Sequence, residues 1–186
     1  MNRALVLLAL LLLLPAAAPG AQTFVKLNGL TSLIGVPGAG VEFTLSERLT
    51  YQVDATASFW RSVDRVPMQF LIVTSEWRYH LRPGQTGLYL GAHVGATGFR
   101  LQKWEYRGTD LYQEGFGVLL GGTVGYKRGL GERWSIDVFA GGGTAQSLYK
   151  GYHAETGFRY DIGPGWNKSG EWLPYRGGVM FARRIR

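Results

Sequence analysis

Charged side chains recur on one face of the segments in which polar and apolar residues alternate. A carboxylate and a cation held together in this way could serve as an acid–base pair or as a proton path. They could also form salt bridges that fill the narrow interior of a small barrel, since an unpaired buried ion is costly. We expect the second role, and the predicted interior charge network consists of Lys26, Glu42, Asp54, Glu76, Arg78, Asp137 and Arg176.

The histidines do not predict a metal site or a catalytic site. His80, His93 and His153 share no spacing that would set two ligands on one strand face or one helix turn. Ser75, His93 and Glu76 could be drawn as a hydrolase triad, but Ser75 and Glu76 are neighbours that point to opposite faces of one strand. We therefore expect neither a metal ion nor an enzyme active site.

A glycine-rich stretch does not predict a nucleotide cofactor either. Gly115-Phe116-Gly117 has part of the spacing of a dinucleotide-binding loop, but such a loop must follow a strand and open a helix. Here the residues from Phe116 to Tyr126 continue an alternating strand. We expect no cofactor.

One predicted loop has a composition suited to adhesion or ligand contact. Residues 150–172 combine aromatic and basic side chains with several glycines, and exposed loops often carry binding functions. The other interpretation is a surface loop without a partner. The candidate contact residues for an extracellular ligand are Tyr152, His153, Phe158, Arg159, Tyr160 and Trp166.

The first 21 residues have the pattern of a secretory signal peptide. Arg3 gives the positive start, residues 4–14 are apolar, and small residues follow up to Ala21. This apolar run is shorter than the ~20 residues of a helical membrane span. We expect cleavage after Gly20 or Ala21, a mature domain over residues 22–186, and no nucleic-acid partner for an exported chain.

Period-two alternation predicts strands throughout the mature chain. In one clear example, Tyr51 and Val53 lie on one face while Gln52 and Asp54 lie on the other. The chain has 28 glycines and no cysteine, so its stability cannot come from disulfides. The predicted strands cover residues 24–33, 40–45, 50–60, 68–81, 88–101, 115–128, 134–149 and 173–185.

The predicted connections alternate in length along the chain. Residues 46–49, 82–87 and 129–133 form short connections, whereas residues 102–114 and 150–172 form long ones. Short turns on one rim and long loops on the other are typical of transmembrane barrels. The sequence therefore predicts an all-β fold, an antiparallel up-and-down transmembrane β-barrel of about eight strands.

Several short motifs combine a strand, a charged turn and an aromatic strand start. They are Gly40-Val41-Glu42, Ser46-Glu47-Arg48-Leu49, Phe59-Trp60, Glu76-Trp77-Arg78-Tyr79, Gly125-Tyr126 and Gly131-Glu132-Arg133-Trp134-Ser135. In these motifs the chain resembles a family of small bacterial outer-membrane barrels known only as a domain of unknown function. Its architecture is similar to the OmpA and OmpX class of eight-stranded barrels. The resemblance implies the bacterial outer membrane as location and the outer-membrane assembly machinery as a partner.

We expect an integral outer-membrane protein with a structural or surface-interaction role, no catalytic activity, and membrane lipid as its partner. Two other interpretations stay open. The first is a soluble exported β-barrel that binds a small apolar ligand, which would need its apolar face to point inward. The second is a lipid-modifying enzyme of the outer membrane.

Overall fold

The segments with period-two alternation form the strands of a closed antiparallel barrel. The computed structural model describes residues 22–62, 65–161 and 163–186. Each strand pairs with the next along the chain, and the first pairs with the last. The strands are β1 (Thr23–Asn28), β2 (Gly38–Thr44), β3 (Leu49–Arg61), β4 (Pro67–His80), β5 (Gly87–Leu101), β6 (Leu111–Leu130), β7 (Trp134–His153) and β8 (Asn167–Arg184).

The prediction of an all-β, up-and-down antiparallel barrel of eight strands is confirmed. The predicted signal peptide, residues 1–21, lies outside the described residues. Within the described ranges, no helix is both long enough and apolar enough to cross a membrane.

The first strand is shorter than predicted and gives way to a helix. The predicted strand over residues 24–33 ends at Asn28, and Gly29–Leu33 form a single helical turn, α1. The Asn28 side chain accepts a hydrogen bond from the backbone N–H of Thr31 and donates one to the carbonyl oxygen of Gly177. The strand prediction was wrong for the second half of this segment because asparagine caps a helix in this way.

The last three strands are longer than predicted. β6 begins at Leu111 and β7 runs to His153, and their ladder pairs these two residues with each other. β8 begins at Asn167, which pairs with Tyr149. The predicted long loops over 102–114 and 150–172 are therefore shorter than predicted, because the strands on either side of them extend to Leu111, His153 and Asn167.

The connections divide between the two ends of the barrel. Residues 45–48, 81–86 and 131–133 connect strands at one end, which we call the short-turn rim. The other end, the long-loop rim, carries α1, residues 102–110, and residues 154–161 and 163–166. Thr23 N donates to Arg186 O, and Arg184 N donates to Arg133 O, so both ends of the described chain lie at the short-turn rim.

The polar face of the sheet points inward and the apolar face points outward. Asp137 and Tyr89 are 0% exposed, whereas their chain neighbours Val138 and Leu90 are 50% and 58% exposed. Apolar side chains with this outward exposure form a band around the barrel. They include Leu27, Leu71, Leu88, Leu90, Val94, Phe116, Val118, Leu120, Val124, Val138 and Phe181.

A β-bulge in β8 sends two consecutive side chains into the interior. Gly141 pairs with Arg176, but Gly143 pairs with Leu173, so β8 contains one residue more than β7 over this stretch. Pro174 lies at the bulge, where a residue without an N–H is tolerated. As a result both Tyr175 and Arg176 reach interior partners.

Candidate functional site

Ion pairs connect all seven residues of the predicted interior charge network. Six strands contribute them, with Glu76 and Arg78 both coming from β4. None of the seven side chains is more than 8% exposed. They are Lys26, Glu42, Asp54, Glu76, Arg78, Asp137 and Arg176.

Lys26 is the point where four strands meet. Its Nζ lies 2.7 Å from Glu42 Oε2 and 2.5 Å from Asp137 Oδ2. It also donates a 2.8 Å hydrogen bond to Gln52 Oε1. A lysine ammonium has three donor hydrogens, so each donor of Lys26 has a partner.

Arg78 links the two carboxylates that lie on either side of it. Its Nη1 is 2.7 Å from Asp137 Oδ2, and its Nε is 2.7 Å from Glu76 Oε2. The guanidinium carbon lies 4.7 Å from the centre of the Tyr89 ring and 5.9 Å from that of Phe139. These distances allow cation–π attraction from both rings.

Arg176 extends the network towards the long-loop rim. Its Nη2 lies 2.8 Å from Asp54 Oδ1 and 3.2 Å from Glu76 Oε2, and its Nη1 donates to Thr74 Oγ1 at 2.9 Å. Because Glu76 also binds Arg78, Arg176 and Asp54 belong to the same connected network as Lys26 and Asp137.

The sequence-based set omitted members that the structure supplies. Lys127 Nζ lies 2.5 Å from Glu42 Oε1, and Tyr89 Oη donates a 2.7 Å hydrogen bond to Asp137 Oδ1. Lys127 sits on the same face of β6 as Gly125, two positions away. The period-two alternation of β6 is enough to place Lys127 on the inward face. Most other residues on that face are glycines, so the sequence did not mark the face as polar.

The network is electrically balanced. Its ion pairs join four basic and four acidic side chains, with Lys127 completing the basic set. Each carboxylate contacts at least one cation, which offsets the cost of removing these ions from water. The arrangement is suited to holding strands together and filling the interior.

A close approach between Tyr89 and Gly125 gives a test of this packing. A Cβ at Gly125 would overlap the Tyr89 ring, whereas a Cβ at Gly129 would meet nothing within 4 Å. We expect Gly125→Ala to lower the free energy of unfolding by about 1 to 3 kcal/mol, because it crowds a packed interior. Denaturant unfolding should show this loss, and Gly129→Ala should be close to wild type. Equal effects of the two changes would contradict the packing described.

The three histidines lie in separate places. His80 Nε2 is 3.3 Å from Thr50 Oγ1, and His93 Nε2 is 2.6 Å from Tyr175 Oη. His153 pairs with an aspartate between β5 and β6. In residues 22–62, 65–161 and 163–186, no group of three His, Cys, Asp or Glu side chains is arranged to hold a metal ion.

The hydrolase triad considered from the sequence is not assembled. Ser75 Oγ lies 2.7 Å from Tyr51 Oη. Both residues lie on the outward face, together with Val53, which pairs with Ser75 in the β3–β4 ladder. Glu76 and His93 lie on the inward face, directly opposite each other in the β4–β5 ladder. The barrel wall therefore separates the serine from the histidine.

Most of the candidate ligand-contact residues of the long loop are engaged within the protein. Tyr152 stacks on Tyr112, with ring centres 5.7 Å apart. The Trp166 ring packs edge-on against Phe116 at 5.3 Å. Phe158 differs from them, because it is 74% exposed.

The remaining three candidates fasten the loop. His153 Nδ1 lies 3.1 Å from Asp110 Oδ1, which joins the end of β7 to the connection over residues 102–110. The Tyr160 and Tyr106 rings make an edge-on contact at 5.8 Å. Arg159 Nε lies 2.8 Å from Asp161 Oδ1, and its Nη2 donates to the carbonyl oxygens of two glycines. Residues 154–161 and 163–166 therefore include a loop segment held by side-chain contacts.

The Arg159–Asp161 pair predicts an acid-sensitive loop. Hydrogen bonds from Arg159 lower the pKa of Asp161 to about 2. This lies below the ~3.9 of an unfolded aspartate, so the stabilising effect is complete above about pH 4 and is lost as the pH falls towards about 2. We expect pepsin to cut the wild type near Phe158 more slowly than Asp161→Asn at pH ~4, and the two rates to approach each other at pH ~2. Comparing the two proteins at each pH removes the pH dependence of pepsin itself. Equal cutting of wild type and variant at pH ~4 would contradict this prediction.

One protein-family model matches the part of the chain that contains most of the strands. The model of the family described as Protein of unknown function (DUF3575) matches residues 5–163, which include β1 to β7. Comparisons with curated proteins and with solved structures give no significant match. A match over most of its length means that the chain belongs to the family Protein of unknown function (DUF3575).

Proposed function

We propose that this protein is an integral barrel of the bacterial outer membrane, similar in architecture to the OmpA and OmpX class, with a structural or surface-interaction role. The observation that carries the proposal is the orientation of the two faces. Buried ion pairs fill the interior, and apolar side chains point out of the barrel. In water such an exterior would expose a large apolar surface, which monomeric soluble proteins avoid.

The height of the outward apolar band supports this role. On β6 the outward side chains from Phe116 to Tyr126 include Val118, Leu120 and Val124, each more than half exposed. This stretch is close to the ~9 to 11 residues with which a tilted strand crosses the hydrocarbon layer. The band therefore has the height of a bilayer core.

Aromatic side chains flank the band at both ends. Trp77, Tyr79 and Trp134 are exposed near the short-turn rim, and Trp166 and Trp172 are exposed towards the long-loop rim. Tryptophan and tyrosine favour the membrane–water interface because each ring has an apolar body and a polar group. Two such belts give the barrel a defined depth in the membrane.

Charged side chains also point out of the barrel near the aromatic belt at the long-loop rim. Arg100 Nε and Glu114 Oε2 are 3.0 Å apart on the outside of the barrel, and both side chains are about half exposed. Lys150 lies over the Trp166 ring at 4.7 Å. Charged groups at this height would lie among lipid headgroups and water, where they are not penalised.

The interior favours this role over a soluble barrel that binds a small apolar ligand. Such a ligand site needs apolar side chains that converge inside the barrel. Here Lys26, Arg78 and their carboxylate partners occupy that position. Phe158 is the member of the candidate loop set that is most available to an extracellular ligand.

Membrane extraction and gel migration test the proposal together. We expect the protein to stay with membranes washed in alkaline carbonate, and to migrate differently before and after boiling because a closed ladder resists detergent. Release by carbonate would support a soluble barrel instead. Identical migration of boiled and unboiled samples would contradict a membrane-embedded barrel.

Comparison of lipid A from cells with and without the gene tests the interpretation as a lipid-modifying enzyme of the outer membrane. An outer-membrane enzyme that modifies lipid should change the mass of lipid A. For the structural role we expect identical mass spectra. A mass difference that depends on the protein would favour the enzyme.

A further inference from the structure

A cluster of arginines surrounds a recess at the short-turn rim. The recess has a volume of about 480 Å³ and is lined by Arg133, Arg183, Arg184, Ile185 and Arg186. Three of these arginines come from the end of β8 and the residues after it, and Arg133 comes from the turn before β7. We call this the arginine recess.

Within the part of the chain that the structure describes, the four arginines have no acidic side chain as a partner. Over the described ranges, none of the ion pairs includes Arg133, Arg183, Arg184 or Arg186. The nearest acidic side chain along the chain is that of Glu132. Every basic side chain of the interior network, by contrast, lies within 4 Å of a carboxylate. The recess therefore concentrates positive side chains that no acidic side chain of the described residues pairs with.

The backbone holds these arginines in place. Arg184 N donates to Arg133 O at 2.7 Å, which joins the end of β8 to the turn. Ile185 N donates to Thr23 O at 2.9 Å, and Thr23 N donates to Arg186 O at 3.2 Å, which joins the same segment to β1. A site whose backbone is fixed before binding loses less conformational entropy when a ligand arrives.

The position of the recess indicates what kind of anion would occupy it. Arg183 pairs with Trp134 in the ladder, and its guanidinium carbon lies 5.6 Å from the Trp134 ring centre. Trp134 belongs to the aromatic belt near the short-turn rim, and such belts lie where lipid headgroups meet the hydrocarbon layer. Ile185 is 63% exposed beside the arginines. An anion at this place would thus sit at headgroup height with apolar surface next to it.

We propose that the arginine recess binds the phosphate of an anionic phospholipid in the leaflet that faces the short-turn rim. The inference rests on the proposed membrane location. A guanidinium group binds phosphate through two parallel hydrogen bonds. A lipid fits better than a free phosphate because its acyl chains lie against Trp134 and the outward band while its phosphate meets the arginines.

Native mass spectrometry of the full chain in non-ionic detergent tests the proposal. The protein is mixed with equal amounts of phosphatidylglycerol and phosphatidylcholine that carry the same acyl chains. We expect preferential retention of phosphatidylglycerol. The triple variant Arg133→Gln/Arg184→Gln/Arg186→Gln should weaken this retention by about fivefold for each arginine removed.

A control variant removes the same charge from the opposite rim. Arg61→Gln/Arg107→Gln/Lys168→Gln changes three exposed cations that take part in none of the described ion pairs. We expect it to retain phosphatidylglycerol like wild type. An equal loss in both variants, or no preference of the wild type for phosphatidylglycerol, would overturn the proposal. Displacement of the lipid by inorganic phosphate at the same concentration would overturn it in favour of a free anion.

Gel migration separates failure of this inference from failure of the membrane role. A wild type that shifts on boiling but shows no lipid preference overturns the arginine recess alone. A wild type that shows no shift overturns both proposals. If the triple variant does not fold, Arg186→Gln decides the matter, because Arg186 lies beyond the end of β8. Its retention of phosphatidylglycerol should fall about fivefold, and unchanged retention would refute the site.

Discussion

Replacing Asp137 by asparagine should lower the free energy of unfolding by about 3 to 5 kcal/mol. Asp137 is 0% exposed and accepts hydrogen bonds from Lys26, Arg78 and Tyr89 at 2.5 to 2.7 Å. Asparagine keeps the shape of the side chain but removes its charge. Lys26 keeps Glu42 and Arg78 keeps Glu76, but the four buried cations of the network are then left with three carboxylates. The desolvation of these cations is no longer fully offset, which is the main loss.

Glu114→Gln provides the matched control, since it makes the same chemical change in an ion pair on the outside. Glu114 and Arg100 are 47% and 49% exposed, and exposed pairs contribute about 0 to 1 kcal/mol. Denaturant titration of the folded barrel in detergent or vesicles would measure both variants. Similar losses would mean that the interior network is not a major source of stability.

Under the proposed membrane role, replacing Leu120 by arginine should lower the stability of the barrel in lipid vesicles by about 2 to 4 kcal/mol. Leu120 is 63% exposed on the outward face of β6 and lies near the middle of the stretch from Phe116 to Tyr126. Arginine at that depth must leave water or drag water into the hydrocarbon layer. In a soluble protein the same change on an exposed side chain would be close to neutral.

Phe158→Arg is the control for this second prediction. Phe158 is 74% exposed, so both substitutions place a cation at an exposed apolar position, but Phe158 lies in the loop after β7, outside the outward apolar band. Unfolding in vesicles and the shift on boiling should distinguish the two variants. If Leu120→Arg behaved like Phe158→Arg, the outward band would not be facing lipid.

The barrel and its interior residues could be predicted because both follow from one local rule. Period two places alternate side chains on opposite faces, so Asp54, Glu76 and Asp137 share one face once their strands are recognised. The polarity of that face does not depend on the exact ends of the strands. Errors of a few residues at each end therefore left the predicted interior set intact.

The features that the sequence did not reveal depend on contacts between distant segments. Asn28 caps α1 while it also donates to the carbonyl oxygen of Gly177, far away in the chain. The ends of β6 and β7 were also missed. Glu114 and Lys150 pair with each other in the β6–β7 ladder, but both are charged, so the apolar alternation used for the prediction stopped before them. A hydrogen-bond ladder does not require apolar side chains.

The bulge in β8 was also invisible to a rule based on alternation. Strict period two would place Tyr175 and Arg176 on opposite faces, yet both have interior partners. Pro174 was the available signal, because proline within a strand indicates a bulge or an edge. A proline beside a predicted strand is therefore a reason to check the face assignment on both sides of it.

The placement of Lys26 has a consequence for the order of assembly. β1 and β8 are the strands furthest apart in the chain, and five residue pairs join them. Glu42 lies on the neighbouring strand β2, so Lys26 can reach it as soon as β1 and β2 pair. Asp137, the other carboxylate partner of Lys26, lies on β7, on the far side of β8. The Lys26–Asp137 ion pair therefore forms only when β1 meets β8, so the step that closes the ring also joins charges from the two ends of the sheet.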